Sequence, residues 1–163
     1  MKKIINTTKA PAPIGPYNQA VLVGNTLYTS GQIAINPVNG NLVLDNIRTE
    51  TKQVMENLKA VLNEAGMTFE DVVKSSIFIA NMNDFSDIND IYGAYFKNET
   101  APARETVQVA CLPKSVNVEI SFFFNKNYKL STTSENVMIG PGSKELIYNF
   151  QLAYAIDELL LPS

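Results

Sequence analysis

Arg104 and Glu119 are the two side chains whose types and spacing best suit chemistry on a small anion. Arg104 is one of only two arginines in the chain, and it stands just before an apolar, strand-like run. Glu119 lies on the strand-like run that follows. A guanidinium can hold a carboxylate through paired hydrogen bonds, and a nearby carboxylate can move protons. The pair therefore suggests a site that binds an anionic substrate and transfers protons.

Both side chains also have a plain structural explanation. Glu119 alternates with apolar residues, so it would be an ordinary surface carboxylate if its side of the strand met solvent. Arg104 would be an ordinary surface residue if it formed a salt bridge with Glu105. The same alternation separates Thr106 from Val107, which predicts that the polar sides of the two strands adjoin and line a cleft. Both explanations remain open on the sequence alone.

Composition excludes several other classes of chemistry. The chain has no histidine and one cysteine, so it has neither a Ser-His nor a Cys-His pair, and a zinc site would lack its usual ligands. It contains no Walker phosphate loop and no G-x-G-x-x-G. The net charge of -3 and the pI near 5 argue against nucleic-acid binding, which depends on clustered Lys and Arg. Cys111 follows an apolar run and is predicted to be a small packed residue.

The length of 163 residues predicts a single folded domain. We place it at residues 1–124 and expect residues 125–163 to be a C-terminal extension, either an appended helix or a poorly ordered tail. A solitary cysteine suits a reducing compartment, and neither a signal-peptide stretch nor a membrane-length apolar run is visible. We therefore predict a cytoplasmic protein without a membrane partner.

The apolar periodicity predicts strands, a helix, a strand, a second helix and two final strands. Because each helix bridges strand runs, both helices should pack on one face of a single mixed sheet, giving an α+β protein. Other copies of the chain are the simplest cover for the second face, which argues for an oligomer. The predicted strands are residues 2–6, 20–23, 26–30, 72–79, 106–110 and 116–124, and the predicted helices are 47–65 and 84–97.

Five separated blocks of the sequence resemble the signatures of the RidA reactive-intermediate deaminases, also called the YjgF-type family. The match runs in order, with family-like spacing, from near Met1 to about Ser121 and includes both helices. The blocks are GPYNQA at residues 15–20, TSGQI at 29–33, APARETVQVA at 101–110, LPK at 112–114 and VNVEI at 116–120.

The resemblance implies a chorismate-mutase-like protomer and a homotrimer whose sites lie between subunits. It also implies a 2-iminobutanoate/2-iminopropanoate deaminase, which hydrolyses reactive enamines and imines such as 2-aminoacrylate and 2-iminobutanoate to 2-oxo acids and ammonia without a cofactor or a metal. Arg104 matches the residue that clamps the substrate carboxylate, and Glu119 matches the one that orders water. The remaining cleft residues implied by the resemblance are Tyr17, Ser30, Gly31, Asn89 and Thr106.

Two features depart from the family pattern: the triplet Phe122-Phe123-Phe124 at the end of the last strand, and the extension after it. The triplet raises the question of whether the trimer or the cleft is disturbed. Two alternative functions also stay open. One is a trimer that binds small 2-imino or 2-oxo acids without significant turnover. The other is the ribonuclease or translation-inhibitor activity attributed to some relatives.

Overall fold

The computed structural model of the chain describes residues 2–125. Only the first residue of the predicted extension, Asn125, falls in this range, and the rest of that prediction lies outside the described residues. Within the range the chain forms six strands and two α-helices. The strands are β1 (Lys2–Ile5), β2 (Ala20–Val23), β3 (Thr26–Thr29), β4 (Val72–Ile79), β5 (Ala103–Gln108) and β6 (Val118–Asn125).

The six strands form one sheet in the order β1-β2-β3-β6-β4-β5. All neighbouring pairs are antiparallel except β4 and β5, which run parallel. A parallel pair needs a crossover connection, and the second helix supplies it. The predicted α+β architecture with a single mixed sheet is confirmed.

Helix α1 (Ile47–Glu64) begins at a reciprocal cap, in which the Asn46 side chain accepts from the Thr49 amide and the Thr49 hydroxyl accepts from the Asn46 amide. Such a cap satisfies amide groups that have no partner inside the helix. The buried face of α1 packs on the sheet and carries Val54, Met55, Leu58, Val61 and Leu62.

Helix α2 (Phe85–Gly93) is shorter than the predicted 84–97. After Gly93 the chain continues in tight turns, because the amides of Tyr95 and Phe96 bond to carbonyls three residues back. Both aromatic side chains still pack against the core. The apolar periodicity thus continues past the last residue of α2, which is why the predicted helix was too long. None of the helices within residues 2–125 is long and apolar enough to cross a membrane.

The aromatic triplet follows the alternation of a strand. Phe122 and Phe124 are 3% and 0% exposed and lie in the core beneath the helices. Phe123 points to the opposite face, where its ring meets that of Tyr28 edge-on with centroids 4.8 Å apart. Two of the three rings thus complete the core, and the third belongs to the sheet face that carries no helix.

The face of the sheet opposite the helices, which we call the open face, carries large apolar side chains. Ile4, Val23, Tyr28 and Val107 are 40% to 49% exposed there. Neither helix of residues 2–125 covers this face. Apolar area of this kind normally marks a surface that meets another protein.

Candidate active site

A cleft of about 400 Å³ opens where β3 and the segment after it pass the start of β6. Its lining includes four of the residues predicted from the sequence: Tyr17, Ser30, Gly31 and Glu119. Pro113, from the LPK block, forms part of the wall. A cavity of this volume suits a compact ligand.

Glu119 reaches into this cleft across the backbone of Gly31. A Cβ at position 31 would overlap a Glu119 carboxylate oxygen and would lie 2.7 Å from the carboxyl carbon. The neighbouring residues Gln32 and Ile120 hold the two backbones together at this point. The Gln32 amide donates to the Ile120 carbonyl at 2.8 Å, and the Ile120 amide donates to the Gln32 carbonyl at 3.1 Å. Only glycine leaves room for this carboxylate.

The residues on the other side of the cleft are held by backbone contacts. The Ser30 hydroxyl donates to the Asn18 carbonyl at 2.6 Å, and the Ser30 amide donates to the Gln19 carbonyl at 2.9 Å. The Tyr17 hydroxyl accepts from the Ile14 amide at 3.3 Å, and the Tyr17 side chain is partly exposed. Hydrogen bonds to the backbone therefore hold two of the residues that line the cleft, and one of them is a partly exposed aromatic side chain.

The Glu119 carboxylate has no hydrogen-bond or ion-pair partner within residues 2–125. Its partial burial raises the pKa of the carboxyl above the usual glutamate range, because the charged form loses water contacts that no protein group replaces. A carboxyl tuned in this direction can hold a proton nearer to neutral pH and can both give and accept it.

Arg104 lies within β5, although the sequence had predicted it on the approach to the strand. Its Nη1 donates to Oδ1 of Asn89 at 2.7 Å. The guanidinium carbon lies 5.7 Å from the centre of the Phe85 ring and 5.1 Å from that of Tyr92. Because these three partners lie four and three residues apart on α2, one face of the helix holds the guanidinium.

The proposed salt bridge between Arg104 and Glu105 is absent. The Glu105 carboxylate instead accepts from the Ser76 hydroxyl at 2.6 Å and from Lys74 at 3.0 Å. Adjacent residues of a strand point to opposite faces, which separates Arg104 from Glu105. No carboxylate of residues 2–125 forms an ion pair with Arg104.

Thr106 lies two residues beyond Arg104, on the same side of β5. Its hydroxyl oxygen is buried, and no hydrogen-bond partner for it is found within residues 2–125. A buried polar group without a partner is uncommon. We call Asn89, Arg104 and Thr106 the second polar group, because Arg104 bonds to Asn89 and Thr106 lies on the same side of β5 as Arg104.

The two groups lie on opposite faces of the sheet. Arg104 is aligned with Ser75 of β4, whose hydroxyl bonds to that of Tyr92 on α2, so both lie on the helix side. Glu119 is aligned with Phe78, which alternates with core residues of β4 and lies on the open face. Within one chain, a ligand touching both groups would have to pass through the sheet.

This arrangement corrects two sequence predictions. Thr106 and Glu119 do not share a polar side of adjoining strands, because Val107 takes the position on β5 aligned with Phe78 and faces the open side. Cys111 is exposed instead of packed, since the strand ends at Gln108 before reaching it.

Phe85 and Tyr92 were missed as neighbours of Arg104. Their spacing around Asn89 was the available signal, because an amide on an otherwise apolar helix face indicates a specific partner. Within the described part of the chain, no three acidic, cysteine or histidine side chains cluster as metal ligands would.

Fold and site together define a small α+β protein with a carboxylate-bearing cleft on one face of its sheet and, on the other face, an arginine that pairs with no carboxylate of residues 2–125. Residues 7–124 match the family model described as Endoribonuclease L-PSP, and the chain belongs to that family. The relationship to RidA and YjgF proteins predicted from the sequence blocks is confirmed by the relatives and structures.

Three similar proteins illustrate the family. A bovine protein named 2-iminobutanoate/2-iminopropanoate deaminase is 49% identical over 74% of this chain and 87% of its own length. Other relatives carry only the name RutC family protein. The Rid-family protein YyfA of Yersinia pestis has a TM-score of 0.75 at 49% identity, covering 77% of this chain and 99% of YyfA. Escherichia coli TdcF with bound serine has a TM-score of 0.72 at 39% identity, with coverages of 77% and 99%.

Proposed function

We propose that this protein hydrolyses reactive 2-imino acids and their enamine tautomers, such as 2-iminobutanoate and 2-aminoacrylate, to 2-oxo acids and ammonia. The observation that carries the proposal is the partly buried Glu119 carboxylate, unpaired within residues 2–125 and held over Gly31 in a cleft of small-molecule size. The bovine relative named for this activity supports the choice of substrate. The reaction uses no cofactor.

Arg104 binds the substrate carboxylate in this proposal. A guanidinium has five N–H donors, and Asn89 accepts from one nitrogen, so donors remain for a planar carboxylate. The rings of Phe85 and Tyr92 hold the guanidinium in place. The buried Thr106 hydroxyl supplies a further polar group next to it. Serine bound to TdcF, which also carries a carboxylate, supports an amino-acid-like ligand.

The complete site forms between two copies of the chain, one presenting Arg104, Asn89 and Thr106 and its neighbour presenting Glu119 with Tyr17, Ser30 and Gly31. Their positions on opposite faces of one protomer support this division. The apolar open face supports an assembly that covers it, and we propose the homotrimer implied by the family resemblance.

Glu119 acts as the general acid and base. An enamine substrate first takes a proton at its β carbon and loses one from its nitrogen to become the imine. Water then adds to the imine carbon while Glu119 accepts a water proton, and the nitrogen takes up the electron pair of the C=N bond together with a proton from solvent. Glu119 next donates to the amino nitrogen, the C–N bond breaks, and the remaining hydroxyl loses its proton to leave the 2-oxo acid and ammonia. Positioned acid-base groups typically contribute ~10² to 10⁴ in rate.

Removal of the guanidinium tests the assignment. In an assay that generates 2-iminobutanoate in situ, Arg104→Ala should lose nearly all acceleration of hydrolysis while its circular dichroism matches that of the wild type. Full activity in this variant refutes the assignment. Lys97→Ala is a matched control, because Lys97 is an exposed cation that pairs with Glu70 and lies outside both polar groups.

Ribonuclease activity, which the family description names, is the alternative function for this chain. The sequence offers no histidine for acid-base cleavage and has a net charge of -3. A nuclease assay on single-stranded RNA with Arg104→Ala beside the wild type distinguishes the two, because cleavage that survives in a deaminase-dead variant would need another site.

A further inference from the structure

Glu50 is a fully buried carboxylate that the proposed chemistry does not use. It lies in the first turns of α1 and is 0% exposed. Its Oε1 accepts from the amides of Asn117 at 2.7 Å and Val118 at 3.2 Å, and its Oε2 accepts from Nδ2 of Asn117 at 2.8 Å. No Lys or Arg of residues 2–125 forms an ion pair with it. Its partners are therefore N–H donors at the start of β6.

These donors lie where β6 lacks a strand partner. The Ile120 amide donates to Gln32, on the β3 side of the strand. Two residues earlier, the Val118 amide points to the same side, because strand amides alternate in direction. No strand continues there beyond Gln32, so the Glu50 carboxylate takes the place of the missing acceptor. Buried backbone amides need such a partner.

The same junction leads directly to Glu119. Just before it, Lys114 and Ser115 adopt positive φ angles of 56° and 55°, a conformation that non-glycine residues rarely take. Pro113, which precedes them, forms part of the cleft wall. The chain thus passes from the cleft wall through a strained turn to the Glu50 contacts, and one residue later it presents Glu119.

We propose that Glu50 is a positioning residue for the reaction: it anchors the start of β6 so that the Glu119 carboxylate stays over Gly31 in the cleft. The proposal rests on the proposed function only in treating Glu119 as the catalytic acid-base group. The length of the Glu50 side chain is the decisive property for this role, because both backbone amides donate to the same oxygen, Oε1.

Two substitutions separate reach from charge. Glu50→Gln keeps the oxygen shared by the two backbone amides without the charge, and its NH₂ can donate to the Asn117 side chain once that amide turns to present Oδ1. Glu50→Asp keeps the charge but is one methylene shorter. With 2-iminobutanoate we expect Glu50→Asp to lower kcat by roughly tenfold to a hundredfold with little change in KM, as misplacement of a catalytic group does. Glu50→Gln should retain most of the wild-type kcat. Val61→Ala, also buried on α1, is the control for general destabilisation.

A second measurement does not need activity. Carbon-13 NMR of the Glu119 carboxyl, assigned by its disappearance in Glu119→Gln, follows the titration of this group directly. We expect its midpoint to move toward the ordinary glutamate range in Glu50→Asp and to stay near the wild-type value in Glu50→Gln and Val61→Ala. The charged and titratable groups around Glu119 are unchanged in all three variants: Tyr17 in the cleft, Lys74 and Glu105 on the same face of the sheet, and, in the proposed assembly, Arg104 of the neighbouring copy.

The outcomes are distinct. An inactive wild type overturns the proposed function, yet a shifted Glu119 titration in Glu50→Asp would still support the positioning role. A wild-type titration in Glu50→Asp overturns that role. If the enzyme is active, two kinetic results also overturn the positioning role. One is a loss of kcat in Glu50→Asp that is no larger than the loss in Val61→Ala. The other is a loss of kcat in Glu50→Gln that is as large as the loss in Glu50→Asp.

Discussion

Arg104 and Glu119 lie on opposite faces of one sheet, on strands that flank β4. Sites built from both residues must therefore take them from different copies. Mixed assemblies of Arg104→Ala and Glu119→Gln subunits test this geometry. Each variant alone should be nearly inactive, but equal amounts unfolded and refolded together should recover about one quarter of the wild-type activity, since random pairing completes that share of the sites. Recovery no greater than the sum of the separate variants would contradict a shared site.

Gly31→Ala should block the cleft without unfolding the protein. The added methyl would overlap the Glu119 carboxylate, which must then leave its position. We expect kcat/KM for 2-iminobutanoate to fall by roughly tenfold to a hundredfold. Gly93→Ala is the matched control, because open space surrounds a Cβ there and Gly93 does not line the cleft. Equal activity in the two variants would remove the Glu119 carboxylate from the site.

Glu119→Gln distinguishes an enzyme from a binding module. Glutamine keeps the shape of the side chain but cannot transfer the proton, so kcat should fall by ~10² to 10⁴ while KM changes far less. Steady-state kinetics and calorimetric binding of a stable 2-oxo acid on the same preparations measure both. Unchanged turnover would remove Glu119 from the mechanism, whereas ligand binding by a wild type without significant turnover would favour the binding module.

The same substitution should change the pH dependence of stability. Burial raises the pKa of the Glu119 carboxyl, so the folded state binds its proton more tightly than the unfolded state, where the pKa is about 4.3. Stability from this group is complete below that value and is lost as pH rises through the folded-state pKa. Thermal unfolding should thus give Glu119→Gln a higher Tm than the wild type near pH 7, with the difference vanishing below about pH 4. A constant difference across this range would refute the shift.

Several elements were predictable because local patterns decide them. The predicted strand at 72–79 matches β4, and the predicted helix at 47–65 matches α1 within one residue, since apolar periodicity and Gly66 define its extent. The strand predicted at 106–110 was misplaced. Valines at 107 and 109 suggested a buried strand there, but β5 is an edge strand whose bounds follow its pairing with β4.

Family membership and the residues proposed for chemistry were readable from the sequence alone, because they are matters of residue type and spacing. Tertiary structure decided how those residues divide between two faces. Alternation within a strand fixes which of its side chains lie on the same face. Which residues of β5 and β6 share a face depends on the register of each strand with β4, which lies between them. The proposed role of Glu50 likewise became visible only in the folded chain, where α1 brings the Glu50 carboxylate to the amides of Asn117 and Val118.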